Sequence, residues 1–210
     1  ANTTLSCQVL LINDGSADNS VSLIIDKCRS DAMYNYIDLD KNYGLSTAIK
    51  AGFDTCTTPY LAYIDSDPQT APEDLELLFS KMPEFDMSNG IRTKRKDTLV
   101  KKCSSKMANF IRRKVVKDNI SDSCCPLKVI KTKTAQSLPF FDGMHRFIPA
   151  LVKLKGGTVA QVPVRHYPRI AGTAKYHLFN RLVGPFFDMI AFYWMRKRNI
   201  TYSINPSKLT

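Results

Sequence analysis

Several patterns that would assign a protein to a familiar class are missing from this chain of 210 residues. It contains no internal repeats and no low-complexity tracts, which excludes repeat arrays. Its three histidines lack the spacing of zinc ligands, and its six cysteines include no CxxC pair. No uninterrupted apolar run approaches the roughly twenty residues that cross a bilayer, and no signal peptide is visible. We therefore expect one soluble α/β domain, at a length that can bury a substantial core.

The cysteines bear on the cellular compartment. Several lie on apolar faces of predicted elements, and we interpret them as reduced core residues of a cytoplasmic protein. Cys124 and Cys125 are adjacent and could form a redox pair, but vicinal disulfides are rare.

The most informative stretch is residues 60–75, YLAYIDSDPQTAPEDL. Its first five residues are a short apolar run that predicts a buried strand, and Asp65 and Asp67 follow. Residues two apart in an extended chain point the same way, so both carboxylates can lie on one side, with Gln69 as a further oxygen donor. Oxygen ligands beside an open pocket suit Mg²⁺ or Mn²⁺ shared with a substrate phosphate. Taken alone, the stretch is explained equally well by a strand-to-helix loop with capping acids.

Two strand-loop-helix units precede this stretch. A strand at residues 8–12 leads into NDGSADNS and a helix at about 21–29, and a strand at about 36–39 leads into KNYGLS and a helix that ends at Cys56. Three such units in a row, with polar residues at the carboxyl ends of the strands, predict a parallel sheet with one shared site.

The segments NDGSADNS, KNYGLSTAIKAGFD and YIDSDPQTAPEDL, in this order and spacing, resemble those of the family 2 glycosyltransferases. Later segments, among them DSCCPLK, GMHRFIP and HYPRIAGTAKY, are similar to the polyprenyl-phosphate branch of that family, the dolichyl-phosphate mannose synthase type. The resemblance covers about residues 7–177. It implies a GT-A fold, a Rossmann-like and mostly parallel sheet flanked by helices, with amphipathic helices at the C-terminal end. The family's first strand has no counterpart in this sequence, so we expect an incomplete donor site.

The resemblance divides the chain into a catalytic domain, residues 1–176, and a membrane-interface helix with its tail, residues 177–210. It also implies roles for individual residues. Candidates for binding the nucleotide sugar are Asp14, Gly15, Ser16, Asn42, Gly44, Asp65, Arg169 and Lys175. Candidates for binding the acceptor are Arg92, Lys101, Ser105 and His145. Catalytic candidates are Asp65, Asp67 and Asp122, and candidate metal ligands are Asp65, Asp67 and Gln69. Asp122 could orient the acceptor, accept a proton or cap the backbone.

Positive charge is concentrated in residues 92–117, where eleven lysines and arginines accompany a single acid, Asp97. From residue 98 the pattern predicts an amphipathic helix. A solvated helix face is one interpretation. Nucleic-acid binding is another, but no nucleic-acid-binding motif is present, and we expect no nucleic-acid partner. An anionic membrane surface or a lipid phosphate fits best, because basic amphipathic helices lie in the headgroup region.

Residues 178–195, LFNRLVGPFFDMIAFYWM, are apolar and aromatic but contain a proline and two charges. Tyr193 and Trp194 adjoin the basic residues 196–198, a combination typical of a membrane interface. An ordinary core helix is the alternative. We expect the chain to lie on the inner face of the cell membrane as a peripheral protein rather than to span the membrane.

These observations predict an enzyme that moves a sugar from a nucleotide-diphosphate donor to a polyprenyl phosphate, with inversion implied by the resemblance alone. A lipid monophosphate has a second pKa near ~6 and is mostly a dianion at neutral pH, so it needs no strong general base. A family 2 transferase acting on a sugar hydroxyl in cell-surface polysaccharide assembly is the alternative enzyme. A basic membrane-surface module is the alternative without catalysis. The sugar, the base and the formation of a homo-oligomer stay open.

Overall fold

The computed structural model describes residues 6–67, 69–93, 112, 114–167 and 180–200. Four candidate residues lie outside this part of the chain: Lys101, Ser105, Arg169 and Lys175. Most of the basic helix predicted from residue 98 also lies outside it.

Two strand-loop-helix units form the amino-terminal part of the fold. Strand β1 (Val9–Asn13) precedes helix α1 (Ser20–Ser30), and strand β2 (Tyr34–Asp38) precedes helix α2 (Leu45–Thr55). β1 and β2 pair in parallel along five residues. The parallel order predicted for these two units is confirmed.

The other strands form a second sheet. It contains β3 (Tyr60–Tyr63), β4 (Met87–Arg92), β5 (Lys128–Lys131) and β6 (Val159–Val164) in the order β3-β5-β4-β6. β4 and β6 pair in parallel along six residues, whereas β5 is antiparallel to both β3 and β4.

The α/β class with mostly parallel pairing is confirmed, because the two longest pairings are the parallel ones. The prediction that all three units share one parallel sheet is wrong for the described residues. β3 pairs there with β5, which runs in the opposite direction. The short apolar run of β3 predicted a buried strand. Its neighbour, β5, begins about seventy residues further along the chain, so a local pattern does not indicate the direction of that neighbour.

Short helices connect the second sheet. A 3-10 turn, Pro72–Asp74, leads into helix α3 (Leu75–Phe79), with proline in the first turn as the sequence predicts. A helix at Thr132–Ser137 follows β5, and a 3-10 turn at Met144–Arg146 leads into the helix Ile148–Leu154.

Two apolar clusters form the core. One joins α2 and the helix Ile148–Leu154 to the C-terminal helix, Asn180–Arg198, through the buried side chains of Phe53, Leu151 and Phe192. The other lies between α3 and the second sheet around Leu78 and Val129.

The C-terminal helix has two unlike faces. On its inner face, Phe192 is 1 % exposed and its ring stacks on Phe147 with centroids 5.3 Å apart. On its outer face, Phe187 is 63 % and Trp194 62 % exposed. The helix continues through the basic cluster, three residues beyond the predicted end at Met195. Within the described residues, no helix has the length and apolar character required to cross a membrane.

Candidate active site

The loops after β1 and β2 are tied together by Asp14. Its carboxylate accepts hydrogen bonds from the backbone N–H groups of Tyr43 (2.8 Å) and Gly44 (2.9 Å), and its carbonyl oxygen accepts one from Asn42 Nδ2 (2.9 Å). Parallel neighbouring strands end at the same edge of a sheet, which brings the two loops together.

Glycine at position 15 permits the close approach of these loops. Gly15 has φ +61°, and a Cβ there would lie 2.2 Å from the carbonyl carbon of Lys41. The next residue, Ser16, donates its backbone N–H to Asn13 Oδ1 at 3.4 Å. The structure therefore brings together the nucleotide-sugar candidates of the first two units, which we call the Asp14 cluster: Asp14, Gly15, Ser16, Asn42 and Gly44. Hydrogen bonds to Asp14 hold the two loops of this cluster together.

Asp65 and Asp67 follow β3, beyond the end of the strand at Tyr63. The Tyr63 hydroxyl donates a hydrogen bond to Asp65 Oδ1. Burial raises the pKa of Tyr63, and the charges of Asp65 and Asp67 raise it further. The Tyr63 hydroxyl therefore stays protonated at neutral pH and donates its hydrogen bond to Asp65.

Gln69 links this loop to the end of β6. Its carbonyl oxygen accepts a hydrogen bond from Tyr167 N at 2.8 Å, and its side-chain amide donates to Tyr167 O at 3.5 Å. Asp67 Oδ1 accepts a bond from the Gln69 N–H at 3.4 Å.

Arg92 and Asp122, predicted for separate roles, form a two-pronged ion pair. Asp122 accepts bonds of 2.8 Å from both Nε and Nη2 of Arg92, and a third from the Arg92 backbone N–H at 3.2 Å. Burial would raise the pKa of Asp122, but the bonds and charge of Arg92 outweigh it and the pKa is lowered. A carboxylate so stabilised is a weak proton acceptor, and its contacts instead hold the Arg92 guanidinium in place.

Sequence reasoning missed Lys128, a β5 residue that is 1 % exposed. Its ammonium donates to the carbonyl oxygen of Cys125 and lies 5.7 Å from the centre of the Tyr63 ring. Burial lowers the pKa of Lys128, against the influence of nearby groups that include Asp122 and Asp65. The signal available in the sequence was a single lysine inside the apolar run LKVI.

Ser46, also missed by sequence reasoning, contacts His145. Ser46 Oγ lies 2.9 Å from His145 Nδ1 and accepts the backbone N–H of Gly143 at 3.0 Å. Burial lowers the pKa of His145 to about 4, and the charges of Arg146 and Lys128 contribute. His145 is therefore neutral at physiological pH, beside the first turn of α2 and the loop that Asp14 organises.

Electrostatic interactions connect these groups into one region. The charges of Asp65 and Asp122 act on Lys128, and Lys128 in turn acts on His145. Ser46 then joins His145 to α2, whose start adjoins the Asp14 cluster. The Ser46–His145 contact thus ties the turn that carries His145 to the loops that Asp14 organises.

The described residues contain no cluster of three acidic, histidine or cysteine side chains arranged to hold a metal ion by themselves. The donor set still fits Mg²⁺ or Mn²⁺ through Asp65 and Asp67, because such ions in phosphate sites use one or two carboxylates and take other oxygens from substrate and water.

Charged side chains lie at or just after the carboxyl ends of β1, β3 and β4, which is the edge of an α/β fold where ligands commonly bind. The chain belongs to glycosyl transferase family 2, since the sequence model of that family matches residues 1–138. It is therefore a glycosyltransferase.

Solved structures share its fold. The chain is similar to glucosyl-3-phosphoglycerate synthase from Mycobacterium tuberculosis in complex with Mn²⁺, UDP-glucose and phosphoglyceric acid, with TM-score 0.66, 13% identity and coverage of 93% of this chain and 70% of that chain. It is also similar to mannosyl-3-phosphoglycerate synthase from Rubrobacter xylanophilus, with TM-score 0.67, 14% identity and coverage of 95% and 67%. The predicted GT-A fold is confirmed.

Proposed function

We propose that this glycosyltransferase moves a sugar, with inversion, from a nucleotide-diphosphate sugar to a polyprenyl phosphate on the inner face of the cell membrane. The observation that carries the proposal is the C-terminal helix, which presents aromatic and basic side chains outward while its inner face contacts the site. Arg146, next to His145, pairs with Asp188 of this helix at 2.8 Å. This ion pair supports the proposal because it ties the C-terminal helix to the turn that carries His145.

The outer face of the helix has the chemistry of a membrane interface. Lys197 lies 5.4 Å from the Tyr193 ring centre, and Arg198 lies 5.8 Å from that of Trp194. Arg196 is half-buried instead and donates a hydrogen bond to the carbonyl oxygen of Val116 at 2.8 Å. Aromatic rings with adjacent cations favour the headgroup level of an anionic bilayer. A small soluble acceptor requires no such surface.

The donor would bind against the Asp14 cluster, with Asp65 and Asp67 holding Mg²⁺ or Mn²⁺. When bound, the cation would offset the charge of the pyrophosphate as the nucleotide leaves. The mycobacterial synthase described above was solved with Mn²⁺ and UDP-glucose, which supports a divalent ion in this fold. Within this chain, Tyr63 would orient Asp65 through its hydrogen bond.

The acceptor would be positioned by cations rather than activated by a base. A phosphate dianion is already a nucleophile, so the main requirement is to hold two anions together. Arg92, oriented by Asp122, would contact the acceptor phosphate in the described site. Lys101 and Ser105 are further proposed acceptor contacts, whereas Arg169 and Lys175 are proposed contacts to the donor pyrophosphate.

A transfer assay tests the proposal. The full-length protein is incubated with Mg²⁺ or Mn²⁺ and a panel of UDP- and GDP-sugars, with undecaprenyl phosphate, 3-phosphoglycerate or a sugar hydroxyl as acceptor. We expect transfer to undecaprenyl phosphate with the opposite anomeric configuration in the product. Preference for 3-phosphoglycerate or for a hydroxyl acceptor would overturn the lipid assignment while leaving the glycosyltransferase assignment intact.

A further inference from the structure

The Ser46 hydroxyl has a defined set of partners. The side chain is 3 % exposed, so water does not satisfy it. Its oxygen accepts the Gly143 N–H at 3.0 Å and lies 2.9 Å from His145 Nδ1. These contacts join α2 to the 3-10 turn Met144–Arg146 across 99 positions of sequence.

The position of one proton follows from these partners. A serine hydroxyl carries one hydrogen, and a buried hydroxyl that donates to nothing is costly. The Gly143 N–H is a donor and cannot receive that hydrogen. His145 Nδ1 can receive it only as an unprotonated acceptor. A neutral imidazole with an unprotonated Nδ1 carries its proton on Nε2.

The surroundings of His145 oppose a second proton. Lys128 from β5 and the adjacent Arg146 disfavour a positive ring, while Asp142 favours one. Asp188 of the C-terminal helix is bound to Arg146 at 2.8 Å, which partly balances that cation. Burial adds to the effect of Lys128 and Arg146, and the ring stays neutral.

We propose that Ser46 is a positioning residue that holds His145 as a neutral imidazole protonated on Nε2, so that Nε2–H donates a hydrogen bond to a phosphate oxygen of the substrates. The proposal rests on the proposed function for the presence of that phosphate. A neutral donor that cannot release its proton near pH 7 binds an anion without acting as an acid.

Nitrogen NMR of the histidine side chains in the full chain tests the tautomer directly. A His145→Gln variant identifies the His145 signals among the three histidines. We expect an unprotonated Nδ1 and a protonated Nε2 at pH 7, with no titration between pH 6 and 8. A protonated Nδ1, or titration near pH 6.5, overturns the proposal whatever the acceptor proves to be.

Added ligands test the phosphate contact. UDP with Mg²⁺ and inorganic phosphate are titrated separately, and we expect the His145 Nε2–H signal to shift with at least one of them. A shift with UDP alone assigns the contact to the donor, and a shift with inorganic phosphate alone assigns it to a monophosphate such as the acceptor's. No shift with either refutes the contact.

Variants test the role of Ser46. Ser46→Ala should lower kcat/KM on the order of tenfold, the effect of one lost hydrogen bond, and should mix the two tautomers of His145. Ser46→Thr keeps the hydroxyl and should restore the single tautomer. Thr55→Ala is the matched control, since Thr55 Oγ1 at the other end of α2 donates to the carbonyl oxygen of Ala51. An unchanged tautomer in Ser46→Ala would contradict the assignment.

Discussion

At the scale of single residues, the site consists of polar groups that orient one another. Asp14 accepts from the loop around Gly44, and Tyr63 donates to Asp65. Each of these two carboxylates is thereby held by a partner from the sequence motifs themselves. Changes at these partners should therefore alter the chemistry without altering the fold.

Asp67→Asn is the first expected loss of function. The change keeps the shape of the side chain but removes the charge proposed to bind the metal, so we expect turnover to fall below detection while the thermal midpoint stays near that of the parent. Chelation by EDTA should abolish activity of the parent in the same assay. Full activity of the parent in EDTA would refute Asp65, Asp67 and Gln69 as metal ligands.

Tyr63→Phe removes the hydroxyl that holds Asp65. Outer-shell hydrogen bonds of this kind contribute about 10- to 100-fold to metal affinity, so we expect a higher Mn²⁺ concentration for half-maximal activity. Tyr60→Phe is the matched control, because Tyr60 belongs to the same strand and packs edge-on against Phe79. Equal metal dependence of the two variants would show that the bond to Asp65 does not act on the metal.

The pKa of His145 predicts a pH dependence of stability. It is about 4 in the folded protein against an ordinary 6.5, so between these values the unfolded chain binds the proton and the folded chain does not. The free energy of unfolding should therefore decrease as the pH falls from 6.5 to 4. His145→Gln should show a weaker decrease in chemical denaturation measured across that range. Parallel pH profiles of parent and variant would contradict the prediction.

At the scale of elements, the C-terminal helix combines a core face with a surface face. Phe192 stacks on Phe147, and Asp188 pairs with Arg146, which tie the helix to the turn that carries His145. Gly143, with φ +84°, leaves space there, since a Cβ would lie 2.3 Å from Asp188 Oδ2. The outer face is then available for a separate contact.

Replacing the outer aromatic residues should weaken membrane binding. We expect the double change Phe187→Ser and Trp194→Ser to reduce co-sedimentation with anionic vesicles. Residual binding should fall as salt rises, because each cation of the 196–198 cluster contributes roughly 1 kcal/mol near an anionic surface. Leu23→Ser on α1 is the control, with a parent side chain that is 64 % exposed. Equal partitioning of the double variant and the control would show that this face contacts something other than a membrane.

At the scale of the whole molecule, one apolar cluster includes α2, the helix Ile148–Leu154 and the C-terminal helix. The predicted domain boundary at residue 177 therefore separates segments that share a core. Truncation at that boundary would remove Phe192 and expose side chains that the helix covers, such as Phe147, which makes point substitutions the better probes of the helix.

Phe192→Ala and Phe187→Ala test the shared core as a matched pair. We expect the first to reduce the free energy of unfolding by about 3–5 kcal/mol, because a buried ring is lost and a cavity remains. The second should change it by less than about 0.5 kcal/mol, since that ring is on the surface. Denaturant unfolding measures both. Similar small effects would indicate that the C-terminal helix is not part of the cooperative unit.

The sequence by itself determined the local features of this glycosyltransferase. Alternating apolar runs and polar loops predicted the first strands and helices within about two residues. The motifs around Asp14, Gly44 and Asp65 predicted the candidate loops, because each motif depends on one strand end and the turn that follows it.

Only the tertiary structure decided which of these loops contact one another and which hydrogen bonds and ion pairs fix their side chains. The pairs Arg92–Asp122 and Ser46–His145 join positions 30 and 99 residues apart, and the burial of Lys128 depends on the strands on either side of it. Local periodicity predicts the buried face of a strand but not its neighbour or the direction of that neighbour. The neighbour of a strand and its direction depend on how the whole chain packs, and the sequence of a single segment does not determine that packing.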